Sequence, residues 1–178
     1  MTVIDTASIQ GLLDKQAIEE ILMRYSRAID RNDPDLLRLV YWPDAYDDHL
    51  LYEGDVDGLV SFCMEFTALM PTHHFLGNRL IELLDDAAAF SETYYQAYHN
   101  MPAEGGRQDV TLLGRYLDDF VKRDGEWRIQ RRIVVVDGYT QVAATSDWDN
   151  GLLAGVRMRG RGRPEDPLYT TRLQSVEA

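Results

Sequence analysis

The sequence predicts an α+β fold in which helices come first and a run of long antiparallel strands follows. Apolar residues recur with helical spacing in the first seventy residues, which indicates amphipathic helices. After Pro71 the pattern becomes extended, and tight turns such as Asp124-Gly125 separate the segments. Helices followed by a strand meander are typical of the α+β class, so we expect one such domain.

Three helices are predicted after a loose lead-in that contains only a short helical piece. The lead-in covers residues 1–14, with its helical piece at Ile9–Leu13, and the helices cover Lys15–Asp30, Leu36–Val40 and Val56–Met70. The first has apolar residues at i, i+3, i+4 and i+7, so one face is expected to be buried. Asp33 is suited to cap the second helix, and Pro34 to its first turn.

One short strand is predicted between the second and third helices, and four long strands after the third. The short strand covers Tyr46–Tyr52, and the long ones cover His73–Leu84, Ala87–Met101, Val110–Lys122 and Trp127–Val136. Asp85-Asp86 and Asp124-Gly125 are predicted to form tight turns, and residues 102–106 a loop.

The bulk composition favours a globular protein that acts on neither nucleic acid nor an anionic membrane. Lys and Arg total 18 against 30 Asp and Glu, a net charge of −12, which disfavours both kinds of partner. Cys63 is the only cysteine, so an intrachain disulfide is excluded. No signal peptide or membrane span is apparent in the sequence, and a cytoplasmic location is therefore predicted.

The chain is predicted to divide into a domain over residues 1–140 and a C-terminal extension over residues 141–178. The end of this extension carries five arginines: Arg157, Arg159, Arg161, Arg163 and Arg172. Because no aromatic residues interleave them and the rest of the protein is acidic, a nucleic-acid tract is not expected. The extension is instead expected to pack on its own acidic body or on a neighbouring subunit.

Four sequence motifs together resemble the SnoaL-like branch of the nuclear transport factor 2 (NTF2-like) superfamily. They are Tyr-Ser-Arg-Ala-Ile-Asp-Arg-Asn-Asp (25–33), Trp-Pro-Asp-Ala (42–45), His-Phe-Leu-Gly-Asn (74–78) and Arg-Asp-Gly-Glu-Trp-Arg-Ile (123–129). The similarity covers about residues 8–140. It implies a cone in which three helices pack on a curved, mostly antiparallel sheet that encloses a pocket.

The resemblance also implies an Asp–His pair. Two enzyme groups of that superfamily, the scytalone dehydratases and the hexachlorocyclohexane dehydrochlorinases, use an aspartate and a histidine at the positions of Asp30 and His74. A carboxylate that binds one imidazole nitrogen leaves the other free to act as a base. The residues alone also allow a plainer interpretation, in which Asp30 closes a helix and His74 is an ordinary core histidine.

Further site residues follow from the same resemblance. Arg132 falls where the dehydrochlorinases carry an arginine and would stabilise developing negative charge, with Arg131 on the opposite face of the strand. His49 falls near a catalytic tyrosine of the dehydratases, and Tyr98 or His99 near their second histidine. Neighbouring strand residues face opposite sides, so we predict that Tyr98, with Tyr94 on the same face, lines the pocket.

Departures from the two enzyme groups leave the substrate open. Tyr25 replaces a lysine of the dehydrochlorinases, and Ile29 replaces a tyrosine of the dehydratases. Tyr25 lies on the buried face of the first helix, where it would orient a substrate oxygen or serve as a core residue.

No metal or other cofactor is predicted. Asp47 and His49 could share one face of a strand, but the remaining histidines supply no clear ligand motif. Gly105-Gly106 lies between two strands and therefore does not form a phosphate loop at a helix start.

The sequence as a whole predicts a cofactor-independent lyase or isomerase that acts on a hydrophobic aromatic or polycyclic small molecule. The alternative is a non-catalytic domain for small-molecule binding or oligomerisation. A homo-oligomer, either dimer or trimer, is expected in both cases.

Overall fold

A computed structural model describes residues 6–171, so residues 1–5 of the predicted lead-in, and Arg172, lie outside this range. Its helices are α1 (Thr6–Asp30), α2 (Pro34–Val40), α3 (Val56–Ala68) and α4 (Pro167–Thr170). Its strands are β1 (Tyr41–Asp48), β2 (Glu53–Asp55), β3 (Thr72–Leu83), β4 (Ala88–Ala103), β5 (Gly106–Arg123) and β6 (Glu126–Ala143). No helix in this range is long and apolar enough to cross a bilayer.

The six strands form one sheet in the order β2-β1-β6-β5-β4-β3. All neighbouring pairs are antiparallel except β1 with β6, which run parallel. The first three helices pack on one side of this sheet, and apolar side chains from both layers fill the space between them. The α+β architecture with a mostly antiparallel sheet is therefore confirmed.

The helix α1 is continuous from Thr6, so the prediction of a separate short piece before Lys15 is wrong. No proline interrupts the segment, and the polar residue just before Lys15 is satisfied by tertiary contacts. Asp14 is buried and accepts hydrogen bonds from Lys122 Nζ at 2.7 Å and Trp127 Nε1 at 2.8 Å. These contacts join α1 to the β5–β6 hairpin.

Strand β1 begins at Tyr41, five residues before the predicted start at Tyr46. Pro43 lies in this strand, where the register with β6 shifts between Tyr41 and Tyr46. An irregular stretch of strand tolerates a residue without a backbone N–H. Pro43 is therefore compatible with strand β1, although a proline cannot continue the helix α2.

The hairpins of the sheet are longer than predicted. Asp124 and Gly125 both have positive φ, as their predicted two-residue turn requires. The predicted loop at 102–106 is instead a tight turn, since Ala103 pairs with Gly106. Strand β6 continues to Ala143, well beyond the predicted end at Val136.

Candidate active site

The C-terminal end of α1 holds Asp30 in a fixed position. Asn32 adopts the left-handed conformation just beyond the helix (φ 49°), which asparagine accepts more readily than most residues. The Nδ2 of Asn32 donates to the carbonyl oxygen of Met64 and to Oγ1 of Thr67, both at 2.8 Å. The turn that follows Asp30 is thus tied to α3.

The carboxylate of Asp30 binds the first residues of β3. Its Oδ2 accepts a hydrogen bond from the backbone N–H of His74 at 2.9 Å, and its Oδ1 accepts one from Thr72 Oγ1 at 2.8 Å. The Nδ1 of His74 lies 2.7 Å from Oδ1 of Asp30. These contacts fix both the ring and the carboxylate.

The contacts of Asp30 determine which nitrogen of His74 remains available. Burial raises the pKa of Asp30, but the hydrogen bonds from His74 and Thr72 outweigh it, and the pKa lies below its ordinary value. An ionised Asp30 accepts a proton-bearing Nδ1, which leaves Nε2 as the basic nitrogen of the neutral ring. Nε2 makes no hydrogen bond within the part of the chain that the structure describes.

His74 lines a cavity of about 130 Å³ between the sheet and α3. Apolar side chains make up most of its wall, including Ile29, Phe62, Phe66, Met101, Leu112 and Val134. Burial raises the pKa of Cys63, which also lines it, to about 12, so this thiol stays protonated. The cavity therefore suits an apolar ligand placed against one basic ring.

His99, and not Tyr98, lines this cavity, so the prediction that chose Tyr98 is corrected. The inward face of β4 carries Tyr95, Ala97 and His99, while Tyr98 lies on the opposite face and donates to Asp109 Oδ1 at 2.6 Å. Tyr94 is on that outer face as well. The alternation of the strand is regular here, and the sequence alone could not say which face was inward.

The ring of His99 meets that of His74 edge to face, with 5.6 Å between the ring centroids. Burial, with the neighbouring His74 as the next contribution, lowers the pKa of His99 to about 4. His99 is thus neutral near pH 7, so its ring adds no positive charge beside His74.

A second carboxylate–imidazole pair reaches the same cavity. Asp47 is fully buried, and its Oδ1 lies 3.1 Å from Nδ1 of His49, which lines the cavity as predicted for a pocket residue. The other oxygen of Asp47 accepts a hydrogen bond from the Tyr41 hydroxyl at 2.6 Å. The Nε2 of His49 lies 3.4 Å from the hydroxyl oxygen of Tyr25.

A comparison with protein families now identifies the domain. Residues 10–133 match the model of the SnoaL-like domain. The chain belongs to the SnoaL-like family. An uncharacterized protein of Mycobacterium tuberculosis is 33% identical to it over 132 residues, which are 71% of this chain and 87% of the relative.

Solved structures of the same fold include two from enzyme groups. A candidate scytalone dehydratase from Novosphingobium aromaticivorans has a TM-score of 0.66 and 23% identity, covering 79% of this chain and 93% of that one. A type 2 hexachlorocyclohexane dehydrochlorinase has a TM-score of 0.72 and 17% identity, covering 82% and 99%. The SnoaL-like domain therefore has the NTF2-like cone fold.

Tyr25 of this SnoaL-like domain is a core residue one layer behind the cavity. Its side chain is fully buried and packs edge to face on Tyr41 and Tyr116. Tyr25 is absent from the cavity wall and reaches it only through His49. The predicted direct contact of Tyr25 with a substrate is thus not supported by the geometry.

Arg132 points inward as predicted, whereas the side chain of Arg131 is 53% exposed on the other face. Its Nε and Nη2 donate to Asp118 at 2.7 and 2.8 Å, and both residues are fully buried. The guanidinium carbon lies 3.9 Å from the ring centre of Tyr25 and 4.2 Å from that of Tyr116. Arg132 therefore lies behind the tyrosines and outside the cavity wall, contrary to a direct role at a leaving group.

The C-terminal extension contacts the α1–α2 turn of the SnoaL-like domain. Arg163 Nη1 lies 2.9 Å from Oδ1 of Asp33, and the Tyr169 hydroxyl donates to Oδ2 at 3.0 Å. Asp33 also caps α2, as predicted. Between extension and body lies an outer cleft of about 810 Å³, whose wall includes Asp30 and Tyr98.

Among the described residues, no group of three or more His, Cys, Asp or Glu side chains is arranged to hold a metal ion. The two residues considered for that purpose, Asp47 and His49, bind each other instead.

Sequence reasoning missed the roles of Asp47 and Asp118. Both are acidic residues on the inward faces of strands, two positions from a cavity-lining residue, His49 or Tyr116. An acidic residue at an inward strand position was the sequence feature that could have indicated these roles. The pairing of Asp118 with Arg132, however, depends on a strand register that the sequence does not give.

Proposed function

We propose that this protein is a lyase or isomerase in which His74 removes a proton from carbon and Asp30 orients the imidazole. The proposed substrate is a hydrophobic small molecule, held in the apolar cavity with its acidic C–H against Nε2 of His74. No step needs a cofactor, since the base, its orienting carboxylate and the apolar surroundings are supplied by side chains.

One observation carries the proposal: the Nδ1 of His74 lies 2.7 Å from Asp30, and the ring borders an apolar cavity. An imidazole held in one tautomer by a carboxylate is a suitable general base near neutral pH, and such a base contributes roughly 10²–10⁴-fold to rate. Exclusion of water strengthens each electrostatic interaction at the site.

Elimination is favoured over double-bond isomerisation. Two related structures, the candidate scytalone dehydratase and the hexachlorocyclohexane dehydrochlorinase, are named for eliminations. A β-elimination begins with the proton abstraction that His74 is placed to perform.

A nitrobenzisoxazole tests the base without knowledge of the natural substrate. Ring opening of this flat aromatic compound needs only removal of one carbon-bound proton, and its phenolate leaving group needs no acid. We expect wild type to accelerate the reaction, His74→Gln to abolish the acceleration, and Asp30→Asn to reduce it about 10²-fold. His73→Gln is the matched control, because His73 is exposed on the other face of β3.

Nitrogen-15 NMR of labelled imidazole gives a test without any substrate. His74 is expected to carry its proton on Nδ1 in wild type and to change tautomer population in Asp30→Asn. If His74→Gln matches His73→Gln in rate and the tautomer is indifferent to Asp30, the base assignment is wrong. Retained binding of apolar aromatic ligands in Asp30→Ala, without any turnover, would then favour the binding domain.

A further inference from the structure

The outer cleft between the C-terminal extension and the body is larger than the cavity that His74 lines, and the proposed function does not use it. Its volume is about 810 Å³, against about 130 Å³ for the cavity. One wall consists of body residues from the end of α1, the α3–β3 connection, β3 and β4, and the other of extension residues between 146 and 165. A cleft of this size is typical of sites for small organic molecules.

The extension wall is fixed to the body through the alternating arginines and glycines of residues 159–163. A Cβ atom built on Gly160 would lie 3.5 Å from Nη1 of Arg31, and one built on Gly162 would lie 3.5 Å from Cβ of Asn32. The backbone N–H of the last arginine in this segment donates to the carbonyl oxygen of Arg31 at 2.6 Å. The glycines therefore lie against the α1–α2 turn, and the arginines beside them border the cleft.

Two guanidinium groups on the extension wall have no acidic partner within residues 6–171. Most arginines in that range form an ion pair with an aspartate or glutamate, although the net charge of −12 would allow all of them to do so. The exceptions are Arg27, Arg107, Arg157, Arg159 and Arg161. Arg159 and Arg161 both line the cleft. Guanidinium groups are suited to oxyanions, so this pair indicates an anionic ligand.

Trp148 holds the guanidinium of Arg159 in place. The guanidinium carbon lies 3.8 Å from the centre of the indole ring, and the arginine is half-buried although it belongs to the surface of the extension. Stacking occupies a face of the guanidinium, whereas its N–H groups lie in the plane and remain able to donate to two oxygens of one anion. A side chain ordered in advance loses less freedom when a ligand binds.

The acids on the cleft wall leave a positive charge at these two arginines. The carboxylate of Asp30 is engaged by His74 and Thr72. Glu165 is exposed and forms no ion pair with another described residue. Its charge offsets one of the two unpaired arginines, so removal of that charge should favour an anion in the cleft.

We propose that the outer cleft binds an organic phosphate, with its phosphate group against Arg159 and Arg161 and its apolar part against Leu69 and Met70, which also line the cleft. A phosphate monoester has close to two negative charges near neutral pH and three acceptor oxygens. It therefore matches two guanidinium groups better than a carboxylate, which has one charge and two oxygens. A small molecule is favoured over nucleic acid because the surrounding protein is acidic.

Isothermal titration calorimetry of the full chain with phenyl phosphate tests the site. We expect Arg159→Gln and Arg161→Gln each to weaken binding by about ten-fold or more, because each removes a charge-assisted hydrogen bond. Arg157→Gln is the matched control, since Arg157 is an exposed arginine of the same extension that also lacks an ion pair among the described residues but does not line the cleft. Glu165→Gln should tighten binding, a gain that partial unfolding would not produce.

Two further measurements define the ligand and its place. Inorganic phosphate should bind at least about ten-fold more weakly than phenyl phosphate, because it has no apolar part to bury. In nitrogen-15 NMR, the indole N–H signal of Trp148, assigned with Trp148→Phe, should shift on addition of phenyl phosphate. The signals of Trp42 and Trp127 should not shift, since their indole nitrogens donate to Val121 and Asp14 away from the cleft.

Several outcomes would overturn the proposal. Absence of phenyl phosphate binding, or an equal loss of affinity in Arg157→Gln and Arg159→Gln, would show that the cleft is not a specific anion site. Equal affinity for inorganic phosphate would exclude an organic ligand, and tighter binding of benzoate would exclude a phosphate. None of these measurements involves turnover, so this proposal and the assignment of His74 as a base can fail separately.

Discussion

At the scale of single residues, the most confined group is the guanidinium of Arg132. It is sandwiched between two tyrosine rings and paired through two nitrogens with Asp118, and the third nitrogen, Nη1, is buried without a partner within the described chain. Burial raises the pKa of Asp118 and the neighbouring Arg132 lowers it. The pKa lies above its ordinary value because the effect of burial is the larger one. Removal of one member of such a pair is strongly destabilising, because it leaves the other as an uncompensated buried charge.

Arg132→Met is expected to lower the free energy of unfolding by roughly 3–5 kcal/mol, because it leaves Asp118 as an uncompensated buried acid. Arg131→Met is the matched control, since Arg131 lies 3.8 Å from Asp119 with about half of each side chain exposed. That change should cost less than about 1 kcal/mol. Urea denaturation measures both, and equal losses would contradict the expectation.

His99 makes the stability of the fold depend on pH. Its pKa of about 4 in the folded state lies below the ordinary value of 6.5, chiefly because the ring is buried. Between these two values the unfolded chain binds more protons than the folded protein does. Stability is therefore lost as the pH falls through this window, whereas carboxylates with lowered pKa, such as Asp30, act only at lower pH.

Lowering the pH from 7 to 5 is expected to cost wild type about 2 kcal/mol through His99 alone. In His99→Gln that contribution disappears, so the variant should lose less stability over the same interval. Urea denaturation at several pH values gives the two slopes, and parallel slopes would show that His99 does not titrate as a buried neutral ring.

At the scale of strands, the curvature of the sheet includes an irregularity in the β5–β6 pair. The register shifts between Leu113 and Gly114, and the backbone of β6 passes very close to Gly114. A Cβ atom there would overlap the carbonyl oxygen of Val135 and lie 2.7 Å from the Tyr95 hydroxyl oxygen. Only glycine fits at this position without movement of a neighbouring strand.

Gly114→Ala is expected to destabilise the protein by about 1–3 kcal/mol, because a backbone oxygen cannot move aside as a flexible side chain can. Gly138→Ala provides the comparison, since Gly138 pairs with the adjacent Leu113 and a Cβ there would meet nothing within 4 Å. That change should stay within about 0.5 kcal/mol. Thermal unfolding measures both variants. Similar midpoints would contradict the expectation, because they would show that β6 moves aside from the added Cβ at little cost.

Most helices and strands could be predicted from the sequence because each has its own local pattern. The helical period, the cap at Asp33 and the turn at Asp124-Gly125 are local features, and all three are present. The predicted helix start at Lys15 was wrong, since α1 begins at Thr6 and the buried Asp14 within it is satisfied by a tertiary contact with Lys122. The end of β6 at Ala143 depends on pairing with β5, and such long-range pairing leaves little pattern in the local sequence.

The candidate site was less predictable than the fold, for a physical reason. Asp30 and His74 were chosen from a family resemblance, and the structure brings them into contact. Whether Tyr98 or His99 faces inward depends on how the sheet curves, and the Arg132–Asp118 contact depends on strand register. A shift of one residue in strand register would move the inward-facing side chains of that strand to its outer face.

At the scale of the whole molecule, the outer face of the sheet is unusually apolar. Four large side chains on β3, β4 and β5 are between 46% and 63% exposed there: Phe75, Leu80, Tyr94 and Leu113. Arg115, on the same face, lies 2.9 Å from Glu92 and 3.0 Å from Asp137, so both signs of charge border the apolar residues. An apolar surface with mixed charge suits contact with a second copy of itself.

We therefore expect self-association through this face, as a dimer or a trimer, and Leu113→Lys should disrupt it by placing a charge within the contact. Leu12→Lys is the control, because Leu12 is 69% exposed on α1, away from the sheet's outer face. Size-exclusion chromatography with light scattering measures the mass of each variant. A monomeric wild type, or equal dissociation in both variants, would show that the outer face is not the contact surface.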